Sequence, residues 1–345
     1  MKKSLLFLIT SIFVLVLAAC GNDSSTNNES TVEGSTIKKE SDSEYPIVIK
    51  HAFGETKINE KPERVATISW ANHDVVLALG VVPVGFSAAN YGIQDDSGLL
   101  PWTAEKLKEL GEENPTVYQD SDGLDFEAIS DSNPDVILAA YSGITQEEYE
   151  TLSLIAPVVP YEETPWVAPW RDQVLLNAKG MGMEEEGKKL VAETEKLIAD
   201  KANEYSVIKG KKAAFGMFNI ADLSSFFIYT PADPRGEFLL DLGMEYPEGI
   251  KKLITDDSFY IQVSTENADV LNDTDLFITY GTKDTLAALQ ADPILGKVPA
   301  IAAGNIVVIE DNTPLAAAGN PNPLSIQYTI DEYLTLIADV AKNVK

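Results

Sequence analysis

The chain has 345 residues, of which 54 are acidic and 26 basic, and its formal net charge is −28. A surface this acidic repels nucleic acid and anionic lipid, so neither is expected as a partner. The sequence holds one cysteine and two histidines, His51 and His73. This composition excludes an intrachain disulfide and argues against a free zinc or manganese ion as ligand.

The first 44 residues predict a secreted, lipid-anchored chain. Two lysines precede an apolar run over residues 5–17, which is short for a membrane span and typical of a secretory signal peptide. Two alanines before Cys20 resemble a bacterial lipobox, so we expect residues 1–19 to be removed and Cys20 to be acylated. Residues 20–44 are polar and predict a disordered tether. The alternatives are an ordinary signal peptide or an N-terminal anchor helix.

The remaining sequence alternates short β-rich runs with amphipathic stretches, which predicts parallel α/β units. The predicted strands form two groups, at residues 64–68, 82–86 and 136–140, and at residues 212–218, 275–280 and 306–309. Between the groups, residues 184–205 have apolar side chains at helical spacing. They predict a helix of roughly 30 Å that connects two domains. The alternative is a crossover helix within one large sheet.

A weak internal repeat supports two similar halves. In each copy a glutamate begins a short helix, an aspartate precedes a buried strand, and a tyrosine follows that strand. The matching residues are Glu127 and Glu266, Asp135 and Asp275, and Tyr141 and Tyr280. The spacing differs by one residue in each segment.

Short motifs in the first half resemble the first lobe of class III solute-binding proteins, the lipoproteins that deliver ferric siderophores, haem or cobalamin to ABC importers. The motifs lie at residues 62–68, 77–80 with 83–85, and 126–129 with 133–137. The resemblance continues through residues 264–266 and 304–308 to the helix after Pro323. It implies an α/β fold of two Rossmann-like lobes, at residues 45–183 and 207–345. A single long helix at residues 184–206 joins them and permits only modest closure.

The resemblance also implies a function and its partners. We expect a monomeric, lipid-anchored protein on the outer face of a Gram-positive cell that captures a ferric siderophore. It would deliver this ligand to a two-subunit ABC permease, with the iron held by the chelator and no enzymatic cofactor. Glu127 and Glu266 match the exposed glutamates that pair with permease arginines in this family. Their alternative role is to stabilise a helix N-terminus.

Loops at the facing edges of the two lobes are expected to form an aromatic cleft suited to a bulky chelate. The candidate ligand contacts are Trp70, Tyr91, Trp102, Tyr118, Trp166, Arg171, Phe218, Tyr229, Arg235 and Asn320. Two of the three arginines, Arg171 and Arg235, fall in these loops, where a guanidinium can bind a carboxylate or hydroxamate oxygen. Because no denser basic cluster is present, a hydroxamate or mixed citrate-hydroxamate chelate is preferred to a tris-catecholate.

Other functions stay open at this point. Haem would need an axial ligand, and because His51 and His73 lie outside the expected cleft loops, a methionine or tyrosine would have to supply it. Cobalamin as the ligand would not explain the two arginines in the expected cleft loops. A hydrolase is suggested by Ser69, His73 and Asp74, but these residues crowd one strand-to-helix junction, where Ser69 is expected to cap the helix. A structural or adhesive lipoprotein would not need an aromatic cleft.

Overall fold

Two five-stranded sheets organise the structure, a computed structural model that describes residues 45–120, 122–255 and 258–344. The predicted signal peptide and the whole predicted tether, including Cys20, lie outside these ranges. Among the described residues, no helix is long and apolar enough to cross a membrane.

The first sheet is entirely parallel and has the strand order β5-β4-β3-β6-β7. A hairpin of β1 (Ile47–His51) and β2 (Gly54–Ile58) precedes it. The sheet strands are β3 (Val65–Thr67), β4 (Gly85–Ser87), β5 (Val117–Tyr118), β6 (Val136–Ala139) and β7 (Val158–Pro160). Its helices are α1 (Asn72–Ala78), α2 (Pro101–Glu109), α3 (Phe126–Asp131), α4 (Gln146–Leu152) and α5 (Trp170–Gly180).

The second sheet is mixed and has the order β10-β9-β8-β11-β12, with β9 antiparallel to both of its neighbours. Its strands are β8 (Ala213–Met217), β9 (Ser225–Tyr229), β10 (Tyr260–Ser264), β11 (Leu276–Gly281) and β12 (Ile306–Glu310). After α6 (Glu184–Glu204), its helices are α7 (Pro234–Asp241), α8 (Glu248–Lys251), α9 (Thr285–Ala291), α10 (Pro299–Ala302), α11 (Pro314–Ala317) and α12 (Pro323–Ala341). Short 3₁₀ helices span Ser206–Ile208, Thr265–Leu271 and Leu295–Lys297. We call each sheet with its helices a lobe.

The predicted fold class of two α/β lobes joined by one long helix is confirmed. All six predicted strands are present, because buried parallel strands are continuous apolar runs that stand out in a sequence. The expectation of wholly parallel units is wrong for the second lobe, where β9 reverses direction. The repeat has a structural basis in its aspartates. Asp135 accepts a hydrogen bond from the backbone amide of Arg64, just before β3. Asp275 accepts the equivalent bond from the backbone amide of Lys212, just before β8.

Helix α6 is the 21-residue rod between the sheets, about 32 Å long at 1.5 Å per residue. It packs against α5 and α12 along its length. At Gly187 the approach to α5 is close, because a Cβ atom there would lie 2.5 Å from the Cβ of Ala178. Glutamates in the first turn, at residues 184–186, suit the positive end of the helix dipole.

Two hydrophobic clusters connect the lobes in addition to helix α6. Val75 of α1 and Val174 of α5 belong to the same buried cluster as Phe215 of β8, Ile278 of β11 and Leu334 of α12. A second cluster places Ala317 and Leu324, from the end of the chain, beside apolar side chains of the first lobe. Interiors packed in this way resist deformation, so this packing restrains relative movement of the two lobes.

Asp74 is a fully buried carboxylate at the joint between the lobes. It accepts hydrogen bonds from Trp102 Nε1 at 2.7 Å, Thr103 Oγ1 at 2.7 Å and Asn322 Nδ2 at 2.9 Å. These donors come from α2 and from the cap of α12, so one side chain on α1 connects three helices. His73 lies 3.5 Å from the same carboxylate, and burial lowers the pKa of its imidazole.

We expect Asp74→Ala to lower the free energy of unfolding by about 3 kcal/mol, because three buried donors lose their acceptor and each costs about 1 kcal/mol. Urea denaturation followed by circular dichroism measures this change. Asp131→Ala, at an exposed position in α3, is the matched control and is expected to change stability by less than about 0.5 kcal/mol. Equal stability of the two variants would contradict the assigned role of Asp74.

Candidate ligand-binding cleft

A cavity of about 810 Å³ opens between the lobes where strands of both sheets end. The first lobe contributes residues that follow β3, β4, β5 and β6, and the second lobe contributes residues at the ends of β8, β11 and β12. Ligands of open α/β sheets bind at this edge, outside the carboxyl ends of the strands. The position and size of the cavity therefore fit a small-molecule ligand.

Seven of the ten candidate contact residues line this cavity. They are Trp70, Tyr91, Trp166, Phe218, Tyr229, Arg235 and Asn320. Trp166 adopts a left-handed backbone conformation, with φ at 61°, and its ring meets Tyr141 edge-to-face at 5.2 Å between centroids. A bulky residue in this conformation is strained and is held there by its surroundings, as is common at ligand sites.

The structure places Trp102 and Tyr118 in the interior of the first lobe, which corrects the prediction that they face the cleft. Trp102 is 3 % exposed, and its indole N–H is bound to Asp74. Tyr118 is 1 % exposed and packs so closely on Gly85 that a Cβ there would lie 2.2 Å from its hydroxyl oxygen. Both aromatic rings therefore stabilise the core.

Arg171 also lies away from the cavity lining, so the expectation that it faces the cleft is wrong. From α5 it reaches Glu195 of α6 at 2.6 Å and Glu237 and Asp241 of α7 at 3.2 and 2.9 Å. Burial and the nearby Asp241 raise the pKa of Glu237 to about 7, against the opposing effect of Arg171. The guanidinium ties three helices together, and its hydrogen-bonding capacity is used within the protein.

Arg235 is the cationic side chain in the lining. Both carboxylate oxygens of Asp233 accept hydrogen bonds from it, from Nε at 2.7 Å and from Nη2 at 2.6 Å. The guanidinium also lies over the ring of Tyr229, 3.8 Å from its centroid. Burial lowers the pKa of Arg235, but the adjacent Asp233 carboxylate raises it by more. The pKa of Arg235 is therefore raised overall. Within the described ranges the remaining nitrogen, Nη1, has no protein acceptor. It is therefore available to donate to a ligand.

Sequence reasoning missed Tyr141 and Tyr280 as lining residues. Both line the cavity, and both are the tyrosines of the internal repeat, Tyr141 two residues after β6 and Tyr280 near the end of β11. Tyr141 accepts a hydrogen bond from Asn320 Nδ2 at 2.9 Å, which leaves its own hydroxyl proton for a ligand. Burial raises the pKa of both phenols, so they stay protonated donors at neutral pH. The repeat was the signal that could have found them.

Neither histidine contributes to the cavity lining. His51 bonds Thr56 at 3.0 Å beside the hairpin, and His73 stacks on Phe86 inside the first lobe. Ser69 is not the cap of α1, because the helix begins at Asn72 and Ala71 occupies the cap position. No group of three or more histidine, cysteine or carboxylate side chains in the described ranges is arranged to hold a metal ion.

Hydrogen bonds connect the loop after β4 with the loop after β12 at the cavity wall. Tyr91 donates to Asp311 Oδ1 at 2.5 Å, and the Gly92 amide donates to Asn312 Oδ1 at 2.8 Å. Gln94 adds a bond to the Asn312 carbonyl at 3.1 Å. Burial and the bond to Asp311 raise the pKa of Tyr91 to about 12. This interlobe contact fixes the loop over residues 88–100.

We expect Asn312→Ala to speed amide hydrogen exchange in residues 88–100 about fivefold, because Gly92 loses an acceptor with a net value of about 1 kcal/mol. Hydrogen-exchange mass spectrometry measures the effect on peptides from this loop. Asn343→Ala, exposed near the end of the chain, is the matched control. Unchanged exchange in the Asn312 variant would show that the contact does not restrain the loop.

Two α/β lobes, a packed joint and an aromatic cavity between them define a solute-binding protein. The chain belongs to the periplasmic binding protein family, whose sequence model matches residues 65–313. The resemblance to class III solute-binding proteins is thus confirmed, as is the prediction of a binding protein rather than an enzyme.

Solved structures and curated relatives agree with this family. The crystal structure of PiaA from Streptococcus pneumoniae TIGR4 in complex with ferrichrome is 55 % identical, with a TM-score of 0.84, and the match covers 87 % of this chain and 100 % of that one. The probable siderophore-binding lipoprotein YfiY of Bacillus subtilis is 27 % identical over 81 % of this chain and 79 % of its own length. The Fe(3+)-citrate-binding protein YfmC of the same organism is 25 % identical over 90 % of this chain and 91 % of its own length.

Proposed function

We propose that this chain captures a ferric hydroxamate siderophore outside the cell and delivers it to an ABC importer for iron uptake. The observation that carries the proposal is Arg235, held by Asp233 with one nitrogen still available, in the wall of an aromatic cavity. The 55 % identity to PiaA, solved with ferrichrome, supports a trihydroxamate as the ligand. Iron arrives fully coordinated by the chelator, so the protein contacts the organic ligand.

The polar groups of the cavity match the oxygen atoms of such a chelate. Hydroxamate oxygens around iron carry partial negative charge and accept hydrogen bonds from guanidinium and phenol groups. Arg235, Tyr141 and Tyr280 supply these donors, and Trp70 and Trp166 supply apolar walls. We propose these five residues, together with Tyr91, Phe218, Tyr229 and Asn320, as the siderophore contacts.

We expect Arg235→Ala to weaken ferrichrome binding at least tenfold, because the complex loses one charge-assisted hydrogen bond worth about 1.5 kcal/mol or more. Because this change leaves Asp233 buried without its partner, the double variant Asp233→Asn/Arg235→Gln provides a neutral second test. Quenching of tryptophan fluorescence measures affinity. Arg64→Ala, at an exposed strand edge bonded to residues 132 and 133, is the control.

Unchanged ferrichrome affinity in both Arg235 variants would remove the assigned role of this side chain. The same titration with haem and with cobalamin tests the two alternative ligands of the family. Tighter binding of either one than of ferric hydroxamates would overturn the proposed cargo.

We also propose that Glu127 and Glu266 dock the loaded protein onto the two permease subunits. Each is exposed in the first turn of a short helix, one in each lobe, and each helix precedes a central buried strand. Two carboxylates at equivalent places on similar lobes suit a partner with two-fold symmetry. The proposed lobes span residues 45–183 and 207–345.

We expect Glu127→Ala/Glu266→Ala to reduce uptake of radiolabelled ferrichrome iron at least tenfold in cells that depend on this chain, because two interfacial charge pairs are lost. Fluorescence titration of the purified variant should give unchanged ferrichrome affinity. Glu193→Ala, exposed on α6, is the control for surface charge. Normal uptake by the double variant would argue that these residues serve only their helices.

The proposed location is the outer face of the membrane of a Gram-positive cell, with the chain held as a monomer by a lipid on Cys20. Relatives such as YfiY are named lipoproteins, which supports this location. Only the lipid would touch the membrane.

A further inference from the structure

The cavity wall carries more negative than positive charge. Among the described residues that line it, the charged side chains are Asp120, Arg235 and Asp311. The charge of Arg235 is already matched by Asp233, which is fully buried behind it. Asp120 and Asp311 therefore leave the cavity with unmatched negative charge.

Asp120 and Asp311 differ in their surroundings. Asp311 is exposed to solvent, which screens its charge, and its Oδ1 atom receives the hydroxyl of Tyr91. Asp120 is half-buried, two residues after the end of β5, and burial raises the pKa of its carboxyl group. No lysine or arginine within the described ranges forms an ion pair with Asp120, and the nearby His73 is buried with a lowered pKa.

A short chain of hydrogen bonds fixes the position of the Asp120 carboxylate. The Ser69 amide donates to Ser87 Oγ at 2.8 Å, and that hydroxyl donates to Asp120 Oδ2. Ser69 itself has a left-handed backbone, with φ at 63°. The first lobe thus holds an oriented acceptor in the cavity wall, while Arg235 presents a donor from the second lobe.

We propose that Asp120 is a specificity-determining residue that receives the ammonium group of a ferric trihydroxamate carrying a free amine. The inference rests on the proposed function and predicts that, among ferric trihydroxamates, chelates with a net positive charge bind more tightly than neutral ones such as ferrichrome. An ammonium group supplies the counter-charge that the protein does not give to Asp120, and pairing is strong in a partly desolvated wall. A neutral chelate leaves this carboxylate unpaired.

The test compares two linear ferric trihydroxamates that differ in one group. One carries a free terminal amine, and the other is the same molecule with that amine acetylated and therefore neutral. We expect the wild-type chain to bind the ammonium form at least fivefold more tightly. In Asp120→Asn the ratio of the affinities for the ammonium and acetylated forms should fall to about one, because a neutral amide cannot form an ion pair with the ammonium group. Asp122→Asn makes the same charge change two residues away, at an exposed position outside the lining, and should keep the ratio.

The outcomes separate this inference from the proposed function. If both chelates bind the wild-type chain equally, or if Asp120→Asn keeps the wild-type ratio, the role of Asp120 is wrong while hydroxamate capture stands. A ratio that falls as much in Asp122→Asn would also overturn it, since the effect would then come from general surface charge. If neither chelate nor ferrichrome binds, the proposed function fails and this inference fails with it.

Discussion

The packing of the chain's last segment into the first lobe is the constraint on which the rest of the structure depends. After β12 the chain returns, places Ala317 and Leu324 among first-lobe side chains, and bonds Asn322 to the buried carboxylate of Asp74. Helix α6, the hydrophobic cluster around Val75 and the contact between Tyr91 and Asp311 also connect the lobes. The cavity is therefore formed when the chain folds, before a ligand binds. Ligand binding then carries little free-energy cost for ordering the cavity walls.

The two lobes contribute different polar groups to the cavity. Arg235 of the second lobe is held in place by Asp233, so its direction does not depend on a ligand. The first lobe offers Asp120 as an oriented acceptor, and aromatic rings from both lobes complete the enclosure. Donors and acceptors contributed by different lobes distinguish ligands by their charge distribution as well as by their size.

Sequence reasoning succeeded where the signal is local and failed where it depends on distant partners. Continuous apolar runs such as Val136–Ala139 located the central strands. The two residues of β5 and the reversed strand β9 gave no comparable pattern. The residue types of Trp102 and Arg171 suit a ligand site, so the sequence predicts that they face the cleft. Their actual partners, such as Asp74 and Asp241, lie 28 and 70 residues away, and a single sequence does not reveal such pairs.

The shared hydrophobic cluster has a consequence for how this protein can evolve. Val75 and Val174 on one side meet Phe215, Ile278 and Leu334 on the other, so neither lobe has a complete interior alone. A hybrid made by joining one lobe to the opposite lobe of a distant relative would present mismatched surfaces at this seam. New ligand preferences should therefore arise through substitutions at the cavity wall, with both lobes inherited together.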